Sequence, residues 1–112
     1  MVTYSREVLH RSAGCEVIRF VWAPGTQTCA HDHGRARGVE VACRVFVVSG
    51  RIFEERPMSG RSVYGPGWVI SLDQDVVHTV GCEGGEPAVT IHVYTSDCID
   101  PALGMSDIAT RL

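Results

Sequence analysis

Short apolar segments with a period of two recur along almost the whole chain. They occupy residues 15–23, 41–48, 51–54, 68–72, 76–80 and 88–95. Alternation of apolar and polar positions is typical of β-strands, and Gly, Pro and Asp turn signals separate the segments. The pattern therefore predicts an all-β protein. Its architecture is expected to be a sandwich or a small barrel, and the double-sheet jelly roll is one of these possibilities.

Helical periodicity is confined to the C-terminal end. In the segment DPALGMSDIATRL, at 100–112, Asp100 can cap a short helix and Pro101 can occupy its first position. We therefore expect an all-β domain with at most one short C-terminal helix.

The length of 112 residues predicts a single domain over 1–112. A barrel this short leaves sheet edges and apolar surface to be covered, and this favours a homodimer. The five cysteines are odd in number and form no C-x-x-C pair, so neither a disulfide framework nor a cysteine zinc site is predicted.

Charge and hydropathy exclude some classes of partner. The chain has 10 basic and 13 acidic residues, a formal net charge of −3, and its basic residues are scattered. Nucleic-acid binding requires a clustered basic surface, so we expect no such partner. No apolar run reaches the roughly 20 residues that span a bilayer, and MVTYSREVLH lacks the apolar core of a signal peptide. These features predict a cytoplasmic protein without membrane association.

Two histidines one residue apart, His31 and His33, raise the question of a metal site. Residues i and i+2 of a strand point to the same face, so the two imidazoles are expected to converge. His78, in the segment 76–80, is the candidate for a third ligand from another strand. An H-x-H pair alone is more often a polar loop, and a lone strand histidine is more often a core residue. The metal hypothesis therefore depends on all three together.

The last apolar segment presents two different faces. One face carries the polar row Thr90, His92 and Tyr94, and the other carries Val89, Ile91 and Val93. We expect the apolar row to fill a core. The polar row then indicates either a solvent surface or the lining of a cavity.

Five segments, in chain order, span nearly the whole sequence: YSR (4–6), WAPGTQTCAHDHG (22–34), VSGRIFEE (48–55), DVVHTVG (75–81) and EPAVTIHVYT (86–95). Together they resemble the thiol dioxygenases of the cysteine dioxygenase family. The resemblance implies a cupin double-stranded β-helix, which is a jelly-roll barrel. It also implies an enzyme that adds both atoms of O2 to the thiol of cysteine, or of a close relative, to give a sulfinate.

The same resemblance implies a metal site. The three ligands of a non-haem ferrous iron would be His31, His33 and His78. Three neutral imidazoles leave the charge of the metal ion in place, and this favours binding of the substrate as an anionic thiolate.

Substrate-binding and catalytic roles also follow from the resemblance. Arg6 would bind the substrate carboxylate, with Tyr4 nearby, because a planar guanidinium can pair with a carboxylate through two hydrogen bonds. Thr90, His92 and Tyr94 fall where the family has a serine, histidine and tyrosine relay beside the metal.

Several alternatives remain open. Nickel, cobalt or manganese could replace iron, or oxidation could continue to a sulfonate with loss of the carboxylate or amine. A third hypothesis is a non-catalytic metal-binding cupin module, which would consume no oxygen. Glu40 lies where ordinary cupins supply a fourth ligand. Some family members link a cysteine to the tyrosine of the relay, and that position falls on either Gly38 or Cys43.

Overall fold

The computed structural model describes residues 4–28, 42–72 and 77–95, which form eight β-strands. These are β1 Tyr4–Ser12, β2 Cys15–Trp22, β3 Ala42–Ser49, β4 Ile52–Arg56, β5 Gly60–Tyr64, β6 Val69–Leu72, β7 Thr79–Cys82 and β8 Ala88–Thr95. The all-β prediction is confirmed for this part of the chain, which contains no helix that could cross a membrane. The predicted short helix at 100–112 lies outside the described residues.

The strands pair antiparallel in two sheets. The larger sheet has the order β1-β2-β8-β3-β6, and the smaller has the order β5-β4-β7. Both sheets contribute to one apolar core, because Ile18 and Val45 of the larger sheet cluster with Ile52 and Val80 of the smaller one. Burial of each such side chain stabilises the fold by about 1.5–3 kcal/mol.

The period of two explains which side chains enter this core. Along β2 every second residue is buried, from Glu16 to Trp22, and β3 buries Cys43, Val45 and Val47 in the same way. The intervening residues form the outer face of the larger sheet. That face presents the exposed apolar residues Phe46, Val48 and Val69 together with the exposed Arg19 and Arg44.

The expectation for β8 was wrong in one respect. The apolar row of Val89, Ile91 and Val93 is only half-buried and lies on the outer face, whereas the opposite row is buried. Thr90 is 0% exposed, His92 6% and Tyr94 3%. Hydrophobicity alone selects the wrong face here, because the polar side chains satisfy one another by hydrogen bonds and so tolerate burial.

Other boundaries also differ from the sequence pattern. Strands β1 and β5 were not predicted, because they are edge strands whose residues are mostly exposed and polar. The segment predicted at 76–80 is observed as β7, which begins at Thr79 and continues through Gly81. A side chain at Gly81 would collide with the Phe53 ring and the Thr26 carbonyl oxygen, so this glycine permits close packing rather than ending the strand.

Candidate functional site

The polar row on β8 forms a continuous hydrogen-bonded chain. The indole Nε1 of Trp22 donates to Thr90 Oγ1 at 2.9 Å, and Thr90 Oγ1 lies 2.9 Å from His92 Nε2. At the other side of the imidazole, His92 Nδ1 lies 3.3 Å from the Tyr94 hydroxyl oxygen. The structure thus brings together the three residues that the sequence assigned to a relay, and adds Trp22 from the neighbouring strand.

The direction of this chain follows from the chemistry of its first two members. An indole N–H can only donate, so Thr90 Oγ1 accepts from Trp22. The hydroxyl is fully buried and lies within hydrogen-bond distance of His92 Nε2, so we expect it to donate to that nitrogen. In neutral His92 with this arrangement, the ring proton would be on Nδ1 and would face the Tyr94 hydroxyl oxygen.

Cys43 lies directly opposite Tyr94 in the β3–β8 pairing. Burial raises the pKa of the Cys43 thiol, an effect that a hydrogen bond with Tyr94 reduces and the nearby Glu54 carboxylate increases. Burial also raises the pKa of the Tyr94 hydroxyl well above its usual range. Both groups are therefore protonated at neutral pH. Of the two register alternatives, Cys43 faces the tyrosine, and Gly38 lies outside the described residues.

A hydrogen-bonded cluster of His78, Glu54 and Arg56 lies at the smaller sheet. His78 Nδ1 is 2.8 Å from Glu54 Oε2, and Arg56 Nε donates to Glu54 Oε1 at 3.0 Å. Burial by itself would raise the pKa of the Glu54 carboxyl, but the hydrogen bonds from His78 and Arg56 outweigh it and hold the pKa below its usual value. The carboxylate consequently accepts the Nδ1 proton of His78.

Of the three predicted metal ligands, the structure describes His78, while His31 and His33 lie outside the described residues, as does Glu40. Within the described ranges no group of three candidate ligands occurs. His78 itself fits a ligand role, because it is 2% exposed and a carboxylate holds its Nδ1 proton. Imidazoles that bind metals through Nε2 are commonly held in this way.

The two predicted substrate residues lie on β1, on the face shared with the relay. Tyr4 packs against Trp22 with 5.0 Å between ring centroids, and Arg6 pairs with Phe20 in the β1–β2 register. The Phe20 ring in turn lies 4.4 Å from the His92 ring. The Arg6 guanidinium is close enough to lower the pKa of Tyr94, although burial dominates that pKa. Arg6 is an exposed residue beside a buried phenol.

Two buried carboxylates were missed by the sequence analysis. Glu54 is 3% exposed and Glu16 is 1% exposed. Glu16 forms an ion pair with Arg11 and lies opposite Tyr94 in the β2–β8 pairing. The available signal was the period of two, since Glu16 shares the face of Ile18 and Glu54 that of Ile52.

The chain is similar to known proteins in its three-dimensional structure. No protein-family model matches the chain, and no curated protein matches it. A cupin-like protein from Thermotoga maritima superposes with a TM-score of 0.74, at 17% identity over 96% of this chain and 84% of that chain. An uncharacterized conserved protein with a double-stranded β-helix domain from Klebsiella pneumoniae gives a TM-score of 0.71, at 18% identity over 84% and 77%.

An RmlC-like cupin family protein from Methanocaldococcus jannaschii gives a TM-score of 0.72, at 12% identity over 87% of this chain and 84% of that chain. The chain has the cupin double-stranded β-helix fold. The predicted fold is thereby confirmed, and β8 with its hydrogen-bonded polar row belongs to the larger sheet. One fold can support many different functions, so the fold alone does not assign a function to this chain.

Proposed function

We propose that this cupin is a metal-dependent thiol dioxygenase that oxidises cysteine, or a close relative, with O2 to the sulfinate. The main support is the hydrogen-bonded row of Thr90, His92 and Tyr94 on a buried strand face. A polar row at that position is costly unless its groups are paired, and an ordinary core strand has no need of it. Arg6 and Tyr4, on β1 at the edge of the same sheet, complete the arrangement.

The metal hypothesis assigns the ligands to His31, His33 and His78. When bound, ferrous iron would favour the thiolate form of the substrate and activate dioxygen next to it. Nickel, cobalt and manganese are the alternative metals. His78, held by the Glu54 carboxylate, fits an imidazole ligand of this kind.

The protein's own side chains have separate tasks in this proposal. Arg6 binds the substrate carboxylate and thereby fixes the position of the reacting sulfur in the site. Tyr94 is proposed to supply its hydroxyl group for hydrogen bonding to the bound substrate. In the overall reaction the sulfur loses four electrons to O2, both oxygen atoms enter the product, and the thiol proton is released.

We further propose that the protein acts in the cytoplasm as a homodimer. Cys15, Cys43 and Cys82 are free thiols, as expected in a reducing compartment. The outer face of the larger sheet, with its exposed Phe46 and Val48, is the surface proposed to meet a second copy.

The proposed function is tested by metal analysis of the purified protein together with an oxygen-electrode screen of small thiols. The iron-loaded protein should consume oxygen with cysteine, and mass spectrometry should identify the sulfinate. A sulfonate that has lost its carboxylate or amine would indicate the further-oxidation alternative. A metal-loaded protein that consumes no oxygen with any thiol would overturn the proposal in favour of a binding module.

A further inference from the structure

Glu54 is a buried carboxylate with both oxygens engaged by different partners. Oε2 contacts His78 Nδ1 at 2.8 Å, and Oε1 accepts from Arg56 Nε at 3.0 Å. Glu54 and His78 are both almost fully buried, whereas the Arg56 side chain is 35% exposed. The Arg56 side of this cluster is thus accessible to solvent, whereas the His78 imidazole lies in the interior.

We infer that Glu54 is a positioning residue for the metal site and acts through His78. By accepting the Nδ1 proton, the carboxylate fixes the ring orientation of His78, and Nε2 is then the nitrogen that would bind the metal ion. The inference rests on the proposed metal site. Carboxylates behind a ligating histidine also make the imidazole more basic, and their loss typically costs about 10-fold to 100-fold in metal affinity.

The hydrogen bond from Arg56 limits how a glutamine at position 54 could be oriented. The carboxylate provides two acceptors, one for Arg56 and one for His78. A glutamine has the same shape but only one acceptor oxygen. If its oxygen faces Arg56, its NH2 group faces His78 Nδ1, and the proton of the imidazole then moves to Nε2, where it blocks coordination. If its oxygen faces His78, its NH2 group faces the Arg56 Nε–H, and the two donors cannot form a hydrogen bond with each other.

The test is the affinity of the full chain, freed of metal by chelation, for cobalt(II), measured by titration calorimetry. Glu54→Gln should weaken cobalt binding by about 10-fold to 100-fold relative to wild type. Glu55→Gln is the matched control, because Glu55 is the next residue on β4, lies on an exposed face and pairs with Arg61 instead. Its cobalt affinity should equal that of wild type.

The possible outcomes separate the inference from the proposed function. Equal cobalt affinity of wild type and Glu54→Gln overturns the inference alone. Wild type that binds no cobalt overturns the metal site and the inference with it. Cobalt binding that depends on Glu54, in a protein whose iron-loaded form oxidises no thiol, supports the inference and overturns the proposed activity.

A second measurement needs no Glu54 variant and therefore does not depend on its folding. Nitrogen-15 NMR of the metal-free wild type reports the tautomer of each histidine, and the His78→Gln variant identifies the His78 signals by their loss. The inference predicts that His78 carries its proton on Nδ1. A proton on Nε2 would overturn it.

Discussion

The indole nitrogen of Trp22 lies 2.9 Å from the hydroxyl oxygen of Thr90, on the adjacent strand of the larger sheet. Because the indole can only donate, Thr90 Oγ1 accepts this hydrogen bond, and we expect the Thr90 hydroxyl to donate its own proton to His92 Nε2. In that direction His92 Nδ1 donates to the Tyr94 hydroxyl oxygen, which also lies beside the Cys43 thiol.

The direction of the relay can be tested at Thr90 with two replacements. Nitrogen-15 NMR of wild type should show the His92 proton on Nδ1, and Thr90→Ser should preserve this tautomer because it keeps the hydroxyl. Thr90→Val should remove the preference of the His92 ring proton for Nδ1, since the hydroxyl that donates to Nε2 is gone. It should also destabilise the fold by about 1–3 kcal/mol, because the buried Trp22 N–H loses its acceptor. A proton on Nε2 in wild type would refute the assigned direction.

The hydroxyl of Tyr94 is expected to contribute directly to turnover. Tyr94→Phe keeps the ring but removes the hydrogen-bond donor, so kcat with cysteine should fall by about 100-fold or more. Tyr64→Phe is the control, because Tyr64 lies on β5 of the smaller sheet and contacts Trp68 instead. Steady-state oxygen uptake compares the three proteins, and an unchanged kcat in Tyr94→Phe would remove the phenol from the mechanism.

Arg6 is expected to select substrates that have a carboxylate. Cysteamine has the same thiol and amine as cysteine but no carboxylate. The kcat/KM for cysteine should therefore be higher by roughly 30-fold to 1,000-fold, which is the contribution expected of a charge-assisted bidentate contact in a partly desolvated site. Arg6→Ala should abolish this preference and Arg6→Lys should restore part of it, because a point charge cannot reproduce the planar fork.

The matching control for Arg6 is Arg19→Ala. Arg19 lies on β2 and is exposed on the outer face of the same sheet, away from the relay. Its removal should leave the preference for cysteine intact. If wild type and Arg6→Ala discriminate equally between the two thiols, Arg6 does not bind the carboxylate.

The outer face of the larger sheet is expected to hold two copies together. Val48 is 54% exposed there, next to the exposed Phe46 and the half-buried Ile91. Light scattering should give a dimer mass for wild type at micromolar concentration and a monomer mass for Val48→Glu. Met58→Glu is the control, since Met58 is 96% exposed in the turn after β4 and should leave the dimer intact. A wild-type monomer would contradict the proposal.

Much of the fold could be predicted because a strand needs only alternation that is visible locally. Six segments of the sequence pattern correspond to observed strands, among them β2 and β8. The pattern failed at β1, an exposed edge strand in which apolar and charged residues do not alternate. It also chose the wrong face of β8, because burial there depends on hydrogen bonds between side chains that a hydrophobicity pattern does not represent.

The candidate site was predictable only in part for a similar reason. The relay residues lie two apart on one strand, so their shared face could be deduced. Glu54 and His78 are 24 positions apart and meet only when β4 pairs with β7, so no local pattern joins them. Trp22 and Thr90 likewise meet through the pairing of β2 with β8.

The central claim is that the protein transfers both atoms of dioxygen to a thiol at a metal held by His78. It is tested most directly by supplying isotopically labelled O2 to the iron-loaded protein with cysteine and measuring the product by mass spectrometry. Wild type should give cysteine sulfinate with label in both oxygens, and His78→Ala should give none. Unlabelled product, or equal turnover by His78→Ala, would contradict the claim.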